Sequence, residues 1–177
     1  MTVAGFLFDM NRFYQTLVAR FLGDHLSDHE VQEEASLNDV LRCLPTMNPQ
    51  GRSSLRPRPD FVVHQRGQVR ALLDAKYRDL WEHELPRDML YQLSLYALSQ
   101  PRGATAAILY PTTATEAREA VLEIRDPVGG RAQGFVAVRP LVLSRLATAL
   151  EEPTGRLARQ LAAELAFGYE QARRAAG

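Results

Sequence analysis

Two short apolar runs on either side of Arg66-Gly67 restrict the middle of this chain to a β-hairpin. The first run covers residues 61–64, and the second covers residues 69–75. Asp60 directly precedes the first run, and Asp74 stands near the end of the second. In a hairpin these two positions lie at the open end of the strands, away from the turn. The pattern therefore predicts a carboxylate at the open end of each strand.

Whether the two carboxylates meet depends on the length of the turn. A three-residue loop over residues 66–68 pairs the strands so that Asp60 lies opposite Asp74, with Cβ atoms roughly 5 Å apart. A two-residue loop would place Asp60 opposite Leu73 and separate the carboxylates. Any chemistry that the two aspartates share thus depends on the first register.

In that register the two carboxylates can share one divalent cation. Mg²⁺ binds oxygen ligands at about 2.0–2.1 Å and keeps several waters, and the Ala75 carbonyl could add a further oxygen. Lys76 points to the same side as Asp74 and could stabilise charge on a phosphoryl group. Metal, activated water and a nearby cation are what phosphodiester hydrolysis requires. The alternative is that Asp60 caps a loop and Asp74 forms a surface ion pair with Lys76, worth at most ~1 kcal/mol; the residues alone leave both interpretations open.

The rest of the chain predicts an α/β fold, with a mixed central β-sheet flanked by helices. No repeat or linker divides it, so residues 1–177 are expected to form a single domain. Residues 24–58 are polar and interrupted by prolines, which indicates helix fragments and loop. Helices are predicted over residues 9–22, 86–99 and 153–176, and further strands over residues 104–111, 120–124 and 134–138.

The charge is balanced overall but unevenly distributed. Lys+Arg and Asp+Glu both count 21, so the net charge does not favour nucleic acid. Residues 52–70 nevertheless carry five arginines and one acid, whereas residues 24–39 carry six acids. Arg58, Arg78 and His64 lie close to the aspartates in sequence or on the Asp60 face and could contact DNA phosphates. The arginines could equally offset the acidic segment in surface pairs.

The composition also bears on the compartment. One cysteine permits no internal disulfide, the first residues lack the pattern of a signal peptide, and no apolar run approaches the ~20 residues of a membrane span. A cytoplasmic protein without a membrane segment is the expectation.

Four blocks of the sequence, taken in order, resemble McrC-like nucleases of the PD-(D/E)XK superfamily, the cleavage subunits of 5-methylcytosine-specific restriction systems. They are FLFDMNRFYQTLVARFL, RPDFVV followed by LLDAKYR, MLYQLSLYAL and AILYP, with GFVAVRPLVL as a looser match. Together they span residues 6–143. The resemblance implies a restriction-endonuclease-like core and a Mg²⁺-dependent DNA endonuclease of a methylation-directed defence system, with Mn²⁺ able to substitute.

The resemblance also assigns roles to residues. It implies that Asp60 and Asp74 bind Mg²⁺ and that Lys76 is the catalytic lysine. It further implies that Tyr91 and Gln92 face the site from the following helix, Tyr91 contacting DNA and Gln92 contacting the metal-bound water or the DNA backbone.

Gln15 departs from the family pattern. McrC-like sequences commonly have a glutamate at this place on the first helix, and it contributes to the metal site. The amide oxygen of Gln15 can still ligate a metal, but without the negative charge, so weaker metal binding is expected. The alternative function is accordingly a catalytically weak or silent DNA-binding or scaffold subunit of a defence complex.

The resemblance extends to partners. McrC-like proteins normally carry a preceding domain that docks on a GTP-hydrolysing AAA+ partner, and this chain is expected to lack it. Because both strands of a duplex must be cut, a homodimer or a larger assembly with the partner is expected. RNA or branched DNA as the substrate remains a further alternative.

Overall fold

The chain folds into three layers, with a six-stranded mixed sheet between helices. A computed structural model describes residues 9–37, 40–54, 56–101 and 104–176, with side chains as far as Gly168. The predicted fold class is confirmed. The helices are α1 Met10–His25, α2 Arg87–Leu98, α3 Leu143–Glu151 and α4 Arg156–Ala176, and the strands are β1 Glu30–Glu33, β2 Phe61–Gln65, β3 Gln68–Ala75, β4 Thr105–Thr112, β5 Ala120–Arg125 and β6 Ala132–Val142.

The sheet has the strand order β1-β2-β3-β4-β6-β5. Its centre is parallel, since β4 pairs in parallel with both β3 and β6, while β1, β2 and β5 add antiparallel edges. Every residue of β4 is buried, as expected for a continuous apolar run between two helical layers. None of the described helices is long and apolar enough to cross a membrane.

Strand alternation divides the core into two clusters, one on each face of the sheet. Leu73 and Leu109 pack on the face covered by α1, α3 and α4. Leu72 and Ile108 pack on the opposite face, which α2 covers. By the same alternation Asp74 lies on the α2 face, beyond Leu72 at the end of β3.

β1 was not predicted. Residues 30–33, expected within helix fragments and loop, pair antiparallel with β2, so that Glu30 lies opposite His64. The strand is short, polar and at the sheet edge, with little of its surface buried. A strand of this kind shows no apolar alternation in the sequence.

The hairpin turn has two residues, so the three-residue loop is wrong. Gln65 pairs with Gln68, and the turn is made by Arg66 and Gly67 at φ 53° and 73°. Two consecutive positive φ values define a type I′ turn, which matches the twist of the flanking strands. Glycine suits the second position because it carries no Cβ penalty there.

A β-bulge nevertheless restores the register that the three-residue loop would have given. His64 pairs with Val69 but Val63 pairs with Ala71, so Arg70 has no partner on β2. Beyond the bulge Phe61 lies opposite Leu73. The next pair outward is therefore Asp60 and Asp74.

Candidate metal centre

The two carboxylates are fixed by reciprocal hydrogen bonds across the open end of the hairpin. The Ala75 N–H donates to Asp60 Oδ2 at 2.8 Å. The Asp60 N–H donates to Asp74 Oδ1 at 3.0 Å. Each side chain thus holds the backbone of the opposite strand, and the structure brings Asp60 and Asp74 together as the register requires.

Burial disfavours the ionised form of both carboxyl groups. Burial and, to a lesser extent, the neighbouring charge of Asp60 raise the pKa of Asp74 to about 7, although the hydrogen bond from the Asp60 N–H and the charge of Lys76 act in the opposite direction. Burial also raises the pKa of Asp60, which the hydrogen bonds from Ala75 and Gln15 and the Lys76 charge partly offset. Two close acids in a desolvated site favour a bound proton or a bound cation.

Gln15 reaches the same point from α1. Its Nε2 donates to Asp60 Oδ2 at 3.0 Å and to the Ala75 carbonyl at 3.5 Å. Sequence reasoning placed this side chain at the site, and the structure does so too. The amide presents N–H groups to the oxygens that would bind a metal, and its own oxygen would face them only after a half-turn of the amide.

Lys76 is the only lysine among the 21 basic residues of the sequence. Its N–H continues the sheet by donating to the Leu109 carbonyl at 3.0 Å. Its charge lowers the pKa of both Asp60 and Asp74. No ion pair joins Lys76 to a carboxylate among the described residues, and Asp74 is half-buried. The surface ion pair considered from the sequence is therefore wrong.

Tyr96 is a site residue that sequence reasoning missed. Burial, with contributions from the charges of Asp74 and Asp60, raises the pKa of its hydroxyl to about 12, so the hydroxyl senses the charge of the two carboxylates. Gln92, one turn earlier on α2, donates from Nε2 to this hydroxyl at 2.6 Å. Gln92 thus approaches the site through Tyr96. The four-residue spacing in QLSLY was the available signal.

Two of the predicted DNA-contacting residues are arginines on the surface. Arg58 forms an exposed ion pair with Glu34 at 2.9 Å, one of the surface pairs with the acidic segment that the sequence also suggested. Arg78 is exposed, and its N–H donates to the Lys76 carbonyl at 2.8 Å.

The other two lie apart from the carboxylates. His64 is four residues along β2 from Asp60, about 13 Å at the usual rise of a strand. The side chain of Tyr91 is 64% exposed and lies about 160° around α2 from the buried Leu93, so it points away from the sheet. DNA contact by either residue stays a prediction.

The donors at the hairpin end fit a hard cation. Asp60, Asp74 and the Ala75 carbonyl supply oxygen only, which suits Mg²⁺ or Mn²⁺ completed by water. Among the described residues no group of three or more His, Cys, Asp or Glu side chains could hold a metal. Gln15 occupies the place where the family resemblance predicts a third acid.

A cavity of about 430 Å³ elsewhere in the fold shares no lining residue with this centre. Four of its five charged groups form two ion pairs, Arg139 with Glu119 at 2.6 Å and Arg145 with Glu164 at 2.7 Å, and Arg118 donates to neighbouring carbonyls. Arg139 also donates to two carbonyls of α4. Arg139 thus joins α4 to β6, and the Arg145–Glu164 pair joins α3 to α4.

Comparison with known proteins bears on the same region. A family model described as McrBC 5-methylcytosine restriction system component matches residues 1–111, which include every candidate site residue. No curated protein matches the chain significantly.

One solved structure has a similar fold. It is a chain of the refined half-complex from the tetradecameric assembly of Thermococcus gammatolerans McrB AAA+ hexamers with bound McrC. The TM-score is 0.54 at 24% sequence identity, covering 88% of this chain and 33% of that chain. The present chain thus spans about a third of the length of the chain it matches.

Proposed function

This chain belongs to the family of McrBC 5-methylcytosine restriction system components, and we propose that it is a metal-dependent DNA endonuclease of such a system. The family resemblance read from the sequence is thereby confirmed. The observation that carries the activity is the pair Asp60 and Asp74, locked across the hairpin end beside the chain's one lysine. Acidic oxygens and a cation at one point are the groups that phosphodiester hydrolysis uses.

Each residue has a part in this proposal. Asp60, Asp74 and the Ala75 carbonyl would hold Mg²⁺, with Mn²⁺ substituting, and the ion would supply Lewis acidity and an acidified water. Lys76 donates to a non-bridging oxygen of the scissile phosphate and stabilises its charge in the transition state. Gln92, held by its hydrogen bond to the Tyr96 hydroxyl, contacts the DNA backbone from the α2 side.

A partner follows from the same comparison. We propose that the chain works with a GTP-hydrolysing AAA+ protein, because the matched fold occurs in an assembly of AAA+ hexamers. Cutting both strands of a duplex would then use two copies of the chain in a dimer or in the assembly.

The direct test is cleavage of methylated and unmethylated plasmid DNA, with and without a GTP-hydrolysing AAA+ protein, in Mg²⁺, Mn²⁺ or EDTA. We expect nicked and linear DNA only with a divalent cation. Intact DNA under every condition would contradict the proposal. Single-stranded RNA and branched DNA of matched sequence show whether duplex DNA is the preferred substrate.

Metal affinity is expected to fall about tenfold for each pH unit below 7, because the proton on Asp74 must leave before a cation can bind. Above pH 7 the affinity should level off. Calorimetric titration with Mg²⁺ in buffers of different ionisation enthalpy measures both affinity and proton release, which should approach one proton per ion below pH 7. A flat profile would show that Asp74 either is not a ligand or does not have a raised pKa.

Replacing Lys76 with methionine is expected to slow DNA cleavage about 10²–10³-fold, since one charge-stabilising donor is lost. Metal affinity should be kept or slightly raised, because a positive charge near Asp60 and Asp74 disappears. Single-turnover cleavage and metal titration of the same variant separate the two effects. Arg131→Met, which removes an exposed cation in the β5–β6 turn, is the control. A Lys76→Met variant that cuts normally would remove the residue from the mechanism.

The second candidate function is a catalytically silent DNA-binding or scaffold subunit of a defence complex. The observation that favours it is the contact of Gln15 Nε2 with Asp60 and Ala75, the oxygens a metal would need. Under this alternative the chain binds DNA or its AAA+ partner, while neither metal nor partner elicits cleavage.

A further inference from the structure

Between β1 and β2 the chain leaves the sheet and forms an arm, residues 40–54 and 56–59. Two backbone hydrogen bonds close its base. The Leu37 N–H donates to the Pro57 carbonyl at 2.9 Å, and the Glu34 N–H donates to the Asp60 carbonyl at 2.9 Å. The arm therefore emerges directly beside a carboxylate of the candidate metal centre.

Polar contacts within the arm hold its shape. The Cys43 N–H donates to Ser54 Oγ at 3.1 Å, connecting the two limbs. Nearer the tip, Asn48 Nδ2 donates to the Arg52 carbonyl at 2.8 Å, and the Arg52 N–H donates to Asn48 Oδ1 at 2.9 Å. A short 3-10 turn, Pro45–Met47, lies between the limbs. The arm is ordered without a core of its own: apart from Pro59, none of its described residues is buried.

The arm has a single sign of charge. Residues 40–59 contain four arginines and no acid, although the chain as a whole is neutral. Arg58 pairs with Glu34, and Arg52 donates to Gln50. Arg42 and Arg56 are exposed and pair with no carboxylate among the described residues. Unpaired guanidinium groups on a polar projection suit contact with a polyanion.

The tip of the arm exposes two large apolar side chains. Leu44 is 63% exposed and Met47 is 78% exposed. Because these two side chains are not buried in a core, they do not stabilise the arm by packing. Leucine and methionine flanked by arginines are the side chains that minor-groove proteins insert between base steps to bend a duplex.

We propose that the arm grips duplex DNA next to the cleavage site, with Arg42 and Arg56 on backbone phosphates and Leu44 and Met47 wedged into the minor groove. The inference rests on the proposed function in taking DNA as the substrate. Charge favours nucleic acid over a protein partner, since the arm carries no acid. The position of the arm favours contact with the DNA that is cleaved, because the Glu34 N–H at the base of the arm donates to the Asp60 carbonyl.

The arginines are tested by fluorescence anisotropy on a short duplex in Ca²⁺, where binding is seen without cleavage. Arg42→Gln with Arg56→Gln should weaken binding about tenfold or more. It should also lower the slope of log affinity against log salt by about 2, since each phosphate contact contributes about 0.9. Arg131→Gln with Arg159→Gln, two exposed arginines outside the arm, should leave both unchanged. If the two double variants bind DNA equally tightly, the proposed phosphate contacts of Arg42 and Arg56 are wrong.

The tip is tested by end-to-end energy transfer on a doubly labelled duplex. Leu44→Ser with Met47→Ser should abolish the bend and keep the salt slope, because no charge changes. Val128→Ser, at a 96% exposed position in the β5–β6 turn, should bend DNA normally. If the Leu44→Ser, Met47→Ser variant bends DNA as the wild type does, the proposed insertion of these side chains into the minor groove is wrong.

Hydrolysis of a small diester, bis(p-nitrophenyl) phosphate, keeps this inference separate from the proposed function. Replacing residues 38–56 by a short turn should leave metal-dependent hydrolysis unchanged while DNA binding is lost, and the melting temperature confirms folding. If this variant still binds DNA, the proposal that the arm grips DNA is wrong. If the wild-type chain fails to hydrolyse the diester while the arm variants still lose DNA binding, the nuclease proposal fails and the arm stands.

Discussion

Replacing Asp74 with asparagine is expected to abolish metal-dependent DNA cleavage and, at the same time, to stabilise the metal-free protein above pH 7. The loss of activity should be at least roughly 10³-fold, because one of two charged ligands disappears. The gain in stability follows from the burial that raises the pKa of Asp74 to about 7. Asparagine keeps an oxygen for the Asp60 N–H and carries no buried charge.

The direction of the pH effect follows from proton binding. The folded protein holds the Asp74 proton up to about pH 7, whereas the unfolded chain releases it near the ordinary value of 3.8. The free energy of unfolding of the metal-free wild type therefore falls as the pH rises between these values and is lowest above pH 7. The shift corresponds to up to roughly 4 kcal/mol, which for a chain of this size changes the melting temperature on the order of 10 °C.

Thermal unfolding in EDTA across this pH range measures the effect. Asp74→Asn should flatten the curve and exceed the wild type above pH 7, and added Mg²⁺ should stabilise only the wild type. The control is Asp88→Asn, an exposed acid in the first turn of α2, which should follow the wild type. If Asp74→Asn is less stable than the wild type at every pH, the buried charge is not the source of the pH dependence.

Replacing Gln15 with glutamate is expected to raise Mg²⁺ affinity about 10–100-fold and to increase cleavage with it. The side chain already lies 3.0 Å from Asp60 Oδ2, so the substitution brings a third acid to the pair without moving α1. Without metal, three close carboxylates repel one another, and the hydrogen bond that lowers the pKa of Asp60 is lost. The variant should thus be less stable in EDTA and gain more from Mg²⁺ than the wild type.

Gln15→Met is the matched control, since it keeps the length of the side chain and adds no charge. It should bind Mg²⁺ no better than the wild type. Calorimetry and plasmid cleavage on all three proteins give the comparison. If Gln15→Glu binds metal more tightly and still does not cut DNA, the scaffold function is favoured over the endonuclease.

The sequence predicted the parts of this fold that strong periodicity determines. β4 is an almost continuous apolar run because both of its faces are covered, and α1 is amphipathic because one face packs on the sheet. β1 was missed because its four residues, Glu30–Glu33, are held by backbone pairing at the sheet edge and have almost no apolar content.

For the candidate site, the sequence predicted that Asp60 and Asp74 lie opposite each other, but with the wrong turn length. Asp60, Asp74 and Gln15 do meet, but a two-residue turn and a bulge bring this about. Bulge formation depends on strand twist and cross-strand packing, which local sequence does not show. Tyr96 was missed because a tyrosine on the buried face of a helix has the same pattern whether its hydroxyl meets apolar atoms or carboxylates.

Because Arg70 has no strand partner on β2, the relative placement of Asp60 and Asp74 depends on the number of residues in the hairpin between them. Removing or adding one residue between Val63 and Ala71 would reverse the parity of the pairing and turn one carboxylate toward the opposite helical layer. A two-residue turn with a bulge and a three-residue turn without one give the same parity. A relative of this chain with a turn of different length must therefore also gain or lose the bulge. A sequence alignment across the hairpin should match the two aspartates first, rather than the glycine of the turn.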